Sequence, residues 1–130
     1  MATPDLSQIE KKIRVKFADA KLLEEAFTHK SYAIEHGITA NNERLEFLGD
    51  SIISAVVAHW LFKRFESVDE GKLSKMKSQI VSRANLSSWG EDLNLGQYLY
   101  LSQGEEATGG RKRESLLGNV YESLVGAIFL

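Results

Sequence analysis

One stretch restricts the fold of this chain more than any other. From about Asn42 to Phe65, the residues Leu45, Leu48, Ile52, Ile53, Val56, Val57, Trp60 and Leu61 recur at three- and four-residue spacing. That is the period of an amphipathic α-helix, and a long helix of this kind must bury its stripe against other elements. The neighbouring segments have the same period. Thr3-Pro4 reads as a cap and first-turn proline opening a helix that carries Leu6, Ile9 and Ile13 inward. Asp19 reads as the cap of a helix with Leu22, Leu23, Ala26 and Phe27 on its apolar side. Gly71 precedes a helix with Leu73, Met76, Ile80 and Val81, and Leu86, Trp89 and Leu93 mark another, ended by Gly96 as a C-cap. Gln97 to Arg113 reads as loop, and a last helix from about Glu114 carries Leu117, Val120, Tyr121, Leu124, Val125 and Ile128. The strand signal at Gln97-Tyr98-Leu99-Tyr100-Leu101 stands alone, so the fold is read as all-α.

The long helix also carries acids. Glu43, Glu46 and Asp50 stand at i, i+3 and i+7. At about 100° per residue they share an arc of about 60°. Ile53, Val57 and Leu61 fall on the same side, so the acids point to the edge of the packed face. Like charges so placed repel and are costly to bury, and a hard divalent cation such as magnesium is the natural compensation. The competing reading is a solvated charge run paired with Arg44. On the last helix, Asn119 and Glu122 share a face, and Ser115, Gly118 and Gly126 lie around the same side. Two helices crossing there would gather Glu46, Asp50, Asn119 and Glu122 around one cavity. An ordinary helix contact softened by small residues explains the pattern equally well. Phe47 sits next to the acids, roughly 150° from the centre of the apolar stripe, and an exposed aromatic there suggests an interface.

Composition removes several classes. The chain has no cysteine, which excludes disulfides and thiolate metal sites. No uninterrupted apolar run approaches the roughly 18 residues of a membrane span, and the polar N-terminus is no signal peptide, so a cytoplasmic location is expected. A net charge of −2 argues against holding nucleic acid by overall positive charge. His29, His36 and His59 form no metal or triad constellation, and His29 is read as structural. Ser31 and Ser51 have no base at useful spacing, which rejects a serine hydrolase.

The run Asn42-Glu43-Arg44-Leu45-Glu46-Phe47-Leu48-Gly49-Asp50-Ser51 resembles the signature of the ribonuclease III family. Four further segments resemble that family in the expected order: Thr28-His29-Lys30-Ser31, Asp69 to Ser74, the glycine-basic loop Gly109 to Ser115, and Leu117 to Leu130. The resemblance implies an all-α endonuclease fold working as a homodimer, with residues 1–130 as one catalytic domain. That domain is read as cut short at its C-terminus, without a double-stranded-RNA-binding domain. The family's metal ligands map onto Glu46, Asp50 and Glu122, with Asn119 at the fourth acidic position. Glu43 and Glu70 match acids of the cleft, and Phe47 matches the aromatic inserted into the dimer partner. Arg111, Lys112 and Arg113 are the best phosphate-binding candidates.

The resemblance further implies cleavage of double-stranded RNA with Mg2+, or Mn2+ in its place, giving 5′-phosphate and 3′-hydroxyl ends. Glu46, Asp50 and Glu122 are expected to be catalytic. The departure is Asn119, where the family usually has Asp: an amide oxygen can ligate a metal but brings no charge. Weaker metal binding is therefore expected. The alternatives are a duplex-binding domain of the same fold with little or no cleavage, and a purely structural helical dimerisation module.

Overall fold

The computed structural model describes residues 4–130. Its helices are α1 (Ser7–Ile13), α2 (Ala20–Ala26), α3 (Lys30–Glu35), α4 (Glu43–Arg64), α5 (Glu70–Ile80), α6 (Arg83–Asp92), α7 (Gln103–Ala107) and α8 (Glu114–Phe129), with short 3-10 turns at Leu95–Tyr98 and Gly110–Lys112. The fold is all-α. Among the described residues the only extended pairing is a single parallel bridge between Thr28 and Tyr100. The isolated strand signal at Gln97–Leu101 resolves into one of the 3-10 turns followed by that bridge.

Local chemistry sets the helix starts. Asp19 accepts from Lys21 N at 3.0 Å, as the sequence predicts. Asp69 does the same for Lys72 N, and Ser82 for Asn85 N. The proposed opening of the first helix falls partly on Thr3, outside the described residues; α1 itself begins at Ser7, whose backbone N–H donates to Asp5 Oδ1. Two helices escape the periodicity argument. The six-residue α3 is capped by His29 Nδ1, which accepts from Ser31 N at 3.1 Å. The five-residue α7 lies inside the segment read as loop and is capped by Ser102, which accepts from Glu105 N. A further correction concerns Gly96. The left-handed residue after α6 is Asn94 (φ 57°), and Gly96 is a glycine for closeness instead: a Cβ there would meet Arg111 O at 2.1 Å.

The core gathers on α8, which buries Leu116, Leu117, Val120, Leu124 and Ala127 among others. Ile9 of α1, Leu23 and Ala26 of α2, and Leu45 of α4 close around it, with Phe27, Leu95 and Leu99. Ser123 is fully buried in this core, and its hydroxyl is satisfied by donating to Ala26 O at 2.7 Å. By length and average hydropathy α4 could cross a bilayer, but it carries Glu43, Glu46 and Asp50 and buries Leu45, Gly49, Ile53 and Leu61 against the protein. Its stripe is only partly covered in one chain: contrary to the sequence reading, Val56 and Trp60 stay exposed.

What positions the site is the crossing of α4 and α8. A Cβ on Gly49 would lie 1.6 Å from Glu122 O, and one on Gly126 would lie 2.3 Å from Leu45 O. The two backbones therefore touch through paired glycines. Gly118, grouped with Gly126 in the sequence reading, faces α6 instead, beside Leu86 and Ser87. An alanine at position 49 gains about 1 kcal/mol of helix propensity. It must also drive the helices apart, at a cost that overpacking places at several kcal/mol for so short a contact. Gly49→Ala is therefore expected to lose at least about 2 kcal/mol in urea denaturation; an unchanged midpoint would contradict the backbone contact.

Candidate active site

At this crossing Glu46 and Asp50 of α4 meet Glu122 of α8. Glu43, Glu46, Phe47, Asp50 and Glu122 line one open groove of about 330 Å3. Glu122 is only 8% exposed, Glu46 is half-buried, and Glu43 and Asp50 are exposed. Burial, a hydrogen bond with Asp50 and the charges of Asp50 and Glu46 push the Glu122 carboxyl up to about 8. Glu46 is raised as well, by burial first and then by Glu43 and Asp50. Among the described residues no ion pair reaches any of these acids, so Arg44 does not pair with them, while Glu43 and Asp50 are solvated as the competing reading expects.

Asn119 stands beside them. One end of its amide lies 3.2 Å from Glu46 Oε1 and 3.1 Å from Ser115 O, both acceptors, so that end is assigned as the donor Nδ2. Asn119 and Glu46 also border a small cavity of about 40 Å3 with His29, Lys30, Asn42 and Glu43. The crossing therefore brings together Glu43, Glu46, Asp50, Asn119 and Glu122. It does not bring Glu70 to the groove within one chain; that residue sits in the first turn of α5, where Ser74 Oγ donates to it at 3.0 Å. Phe47 is 78% exposed at the groove's rim, as the helical wheel implies.

The donors are hard oxygens on two helices, short of positive charge. That chemistry suits a divalent cation that retains part of its water. The described residues hold no group of three acids or histidines already at ligating spacing. Side-chain rotation would have to complete any such set.

The basic loop is mostly committed elsewhere. Arg111 Nη1 donates to the carbonyls of Gly96 (3.0 Å) and Leu99 (2.7 Å), and its Nε pairs with Glu106 at 2.6 Å. Arg113 pairs with Glu105 and donates to Thr108 Oγ1 at 3.1 Å. These two arginines tie the segment 96–113 together, and Lys112 alone of the three is exposed. Sequence reasoning missed the role of Gly49 and the clasp of Glu105 and Glu106 with the arginines. The Ser102-x-x-Glu105 spacing was a readable signal for α7.

An all-helical domain with a carboxylate groove at a two-helix crossing is the class this geometry defines. A family described as ribonuclease-III-like matches residues 19–130, and the chain belongs to that family. It is 45% identical over 125 residues to Ribonuclease 3 of a Nitratiruptor species, covering 96% of this chain and 54% of that protein. It is 47% identical over 120 residues to Ribonuclease 3 of Halalkalibacterium halodurans, covering 91% and 46%. The chain thus spans about half the length of the curated relatives it matches. Among solved structures, the nuclease domain of ribonuclease III from Campylobacter jejuni agrees with a TM-score of 0.90 at 37% identity, over 95% of this chain and 84% of that one. Dicer from Pichia stipitis agrees at 0.62 and 26% identity, over 87% and 47%.

The raised Glu122 carboxyl makes stability depend on pH in the metal-free protein. In the unfolded chain this group titrates near 4.5, and in the folded chain near 8. Its contribution is full below the lower value and is lost as pH rises through the upper one. Urea titrations in EDTA should show stability falling by up to a few kcal/mol between about pH 4.5 and 8. Glu122→Gln should flatten this fall and be more stable than the parent at pH 8. A parent curve that rises over the same interval would contradict the assignment.

Proposed function

We propose that residues 1–130 form the catalytic domain of a Mg2+-dependent endoribonuclease that cuts double-stranded RNA to 5′-phosphate and 3′-hydroxyl ends in RNA processing. The observation that carries this reading is the convergence of Glu46, Asp50 and Glu122 from two helices on one groove, without a cationic side chain to balance them. Membership of the ribonuclease-III-like family supports it.

In this reading Glu46, Asp50 and Glu122 hold Mg2+, with Mn2+ as a substitute, and Asn119 stands beside them. A divalent ion so held supplies positive charge for the phosphate and makes a water acidic enough to react at neutral pH. The protein's part is to keep Glu122 walled in and close to Asp50, so that its ionised form is costly until a cation arrives. The exposed Asp50 and Glu43 face the open groove, from which the phosphodiester would enter. Hydrolysis places water on phosphorus and expels the 3′ oxygen, which yields the stated ends.

Duplex RNA is recognised mostly through backbone and shape. With Arg111 and Arg113 engaged inside the protein, phosphate contact in the basic loop narrows to Lys112, with Lys72 and Lys75 on the exposed side of α5 as secondary candidates. A homodimer fits the exposed Phe47 beside the groove. The description of the Campylobacter domain refers to a region involved in dimer formation, which supports the same assembly here. Two related grooves would then serve the two strands, and Glu70 would belong to the cleft only in that assembly. A cytoplasmic location is compatible with the proposed substrate.

The second reading, a duplex-binding domain with weakened cleavage, is favoured by Asn119, whose amide nitrogen already faces Glu46. Both are tested by cleavage of a long radiolabelled RNA duplex with Mg2+ or EDTA. The chain is expected to cut only with Mg2+, and Glu122→Gln, with the fold intact, to lose at least about a hundredfold in rate. Binding without cutting, restored to cutting by Asn119→Asp, would establish the second reading; full activity of Glu122→Gln would refute the catalytic assignment.

The interface is tested separately. Phe47→Ala should leave the monomer fold unchanged and weaken self-association by about tenfold or more in sedimentation equilibrium. An unchanged dissociation constant would remove Phe47 from the interface.

A further inference from the structure

We infer that Asn119 is a positioning residue, whose amide hydrogen bond holds the Glu46 carboxylate at the α4–α8 crossing, and that it does not serve as a fourth oxygen ligand. The inference rests on the proposed metal reading of the groove and changes the role of one member of the set.

The geometry carries it. An asparagine amide has two N–H donors. Both are engaged here, one on Glu46 Oε1 at 3.2 Å and one on Ser115 O at 3.1 Å. Ser115 lies one turn earlier on α8, so the amide is braced against its own helix while it reaches across to α4. Glu46 is thereby tied to α8 by a charge-assisted hydrogen bond, the stronger kind. Asn119 lines the small cavity with Glu46, His29, Lys30 and Asn42 and is not among the residues lining the open groove, which Glu46 shares with Asp50 and Glu122. Carboxylates that bind metals are commonly oriented by such neighbours.

An aspartate at this position would behave differently. It has no donor, and its oxygen would stand about where Nδ2 stands, at hydrogen-bond distance from a carboxylate oxygen and a carbonyl oxygen. All three would repel unless a proton or cation came between them. The amide therefore lets the acids of the two helices assemble before any cation arrives, whereas an acid there would make assembly depend on the cation.

Two measurements on the full chain test this. The first is NMR of the Asn119 side-chain amide in EDTA. At least one of its Nδ2 protons should be shifted downfield and slow to exchange, and should return to the position of a free amide in Glu46→Ala. Identical amide signals in the two proteins would overturn the inference. The second is thermal unfolding of Asn119→Asp at pH 7.5. Without metal it should melt about 5 °C or more below the parent, and Mg2+ should raise its Tm by more than it raises the parent's. An Asp variant as stable as the parent in EDTA would also overturn the inference. If Mg2+ does not move the parent's Tm at all, the metal reading fails, while the amide signal still decides the role of Asn119.

Discussion

The backbone contact between α4 and α8 is the constraint on which the rest of this protein depends. Glycines at positions 49 and 126 remove the two side chains that would separate the helices. With ordinary residues there, helices pack about 8–10 Å apart. Here the approach is limited by backbone atoms alone, and Glu122 O sits where a Cβ on residue 49 would be. The acids flank this contact on both helices, so its closeness decides whether Asp50 can hydrogen-bond with Glu122 and whether Asn119 can reach Glu46.

The remaining elements support this crossing. α8 is buried along most of its length, held by α6 through Gly118 and by α2 through the Ser123–Ala26 hydrogen bond. The segment between Leu95 and Arg113 is braced by Arg111 on backbone carbonyls and by two arginine–glutamate pairs. That frame delivers α8 to the crossing at a defined point. The charge cost of the acids falls on a rigid scaffold, which keeps them close although they repel.

Much of this was legible in the sequence because it depends on period and type. The spacing of Glu43, Glu46 and Asp50 placed them at the edge of the packed face, and the structure finds Glu46 half-buried with the other two exposed. Phe47 was expected outside and is outside. Less legible were features decided by partners distant in the chain. Arg111 and Arg113 read as free charges in a glycine-rich loop, but their partners at Glu105, Glu106, Gly96 and Leu99 are visible only once the loop is folded. Gly49 read as part of a motif, while its physical role is set by a helix more than seventy residues away. Helices α3 and α7 were too short for periodicity to detect, and one of them is capped by a histidine, outside the usual capping set.

The central claim is that one crossing of two helices gathers a set of acids for a single divalent cation. The most direct measurement is an anomalous difference map from crystals of the chain soaked in Mn2+. The account predicts one strong peak per chain, within ligand distance of Glu46, Asp50 and Glu122. A peak confined to exposed acids such as Glu70, or no peak at the crossing under saturating Mn2+, would contradict it.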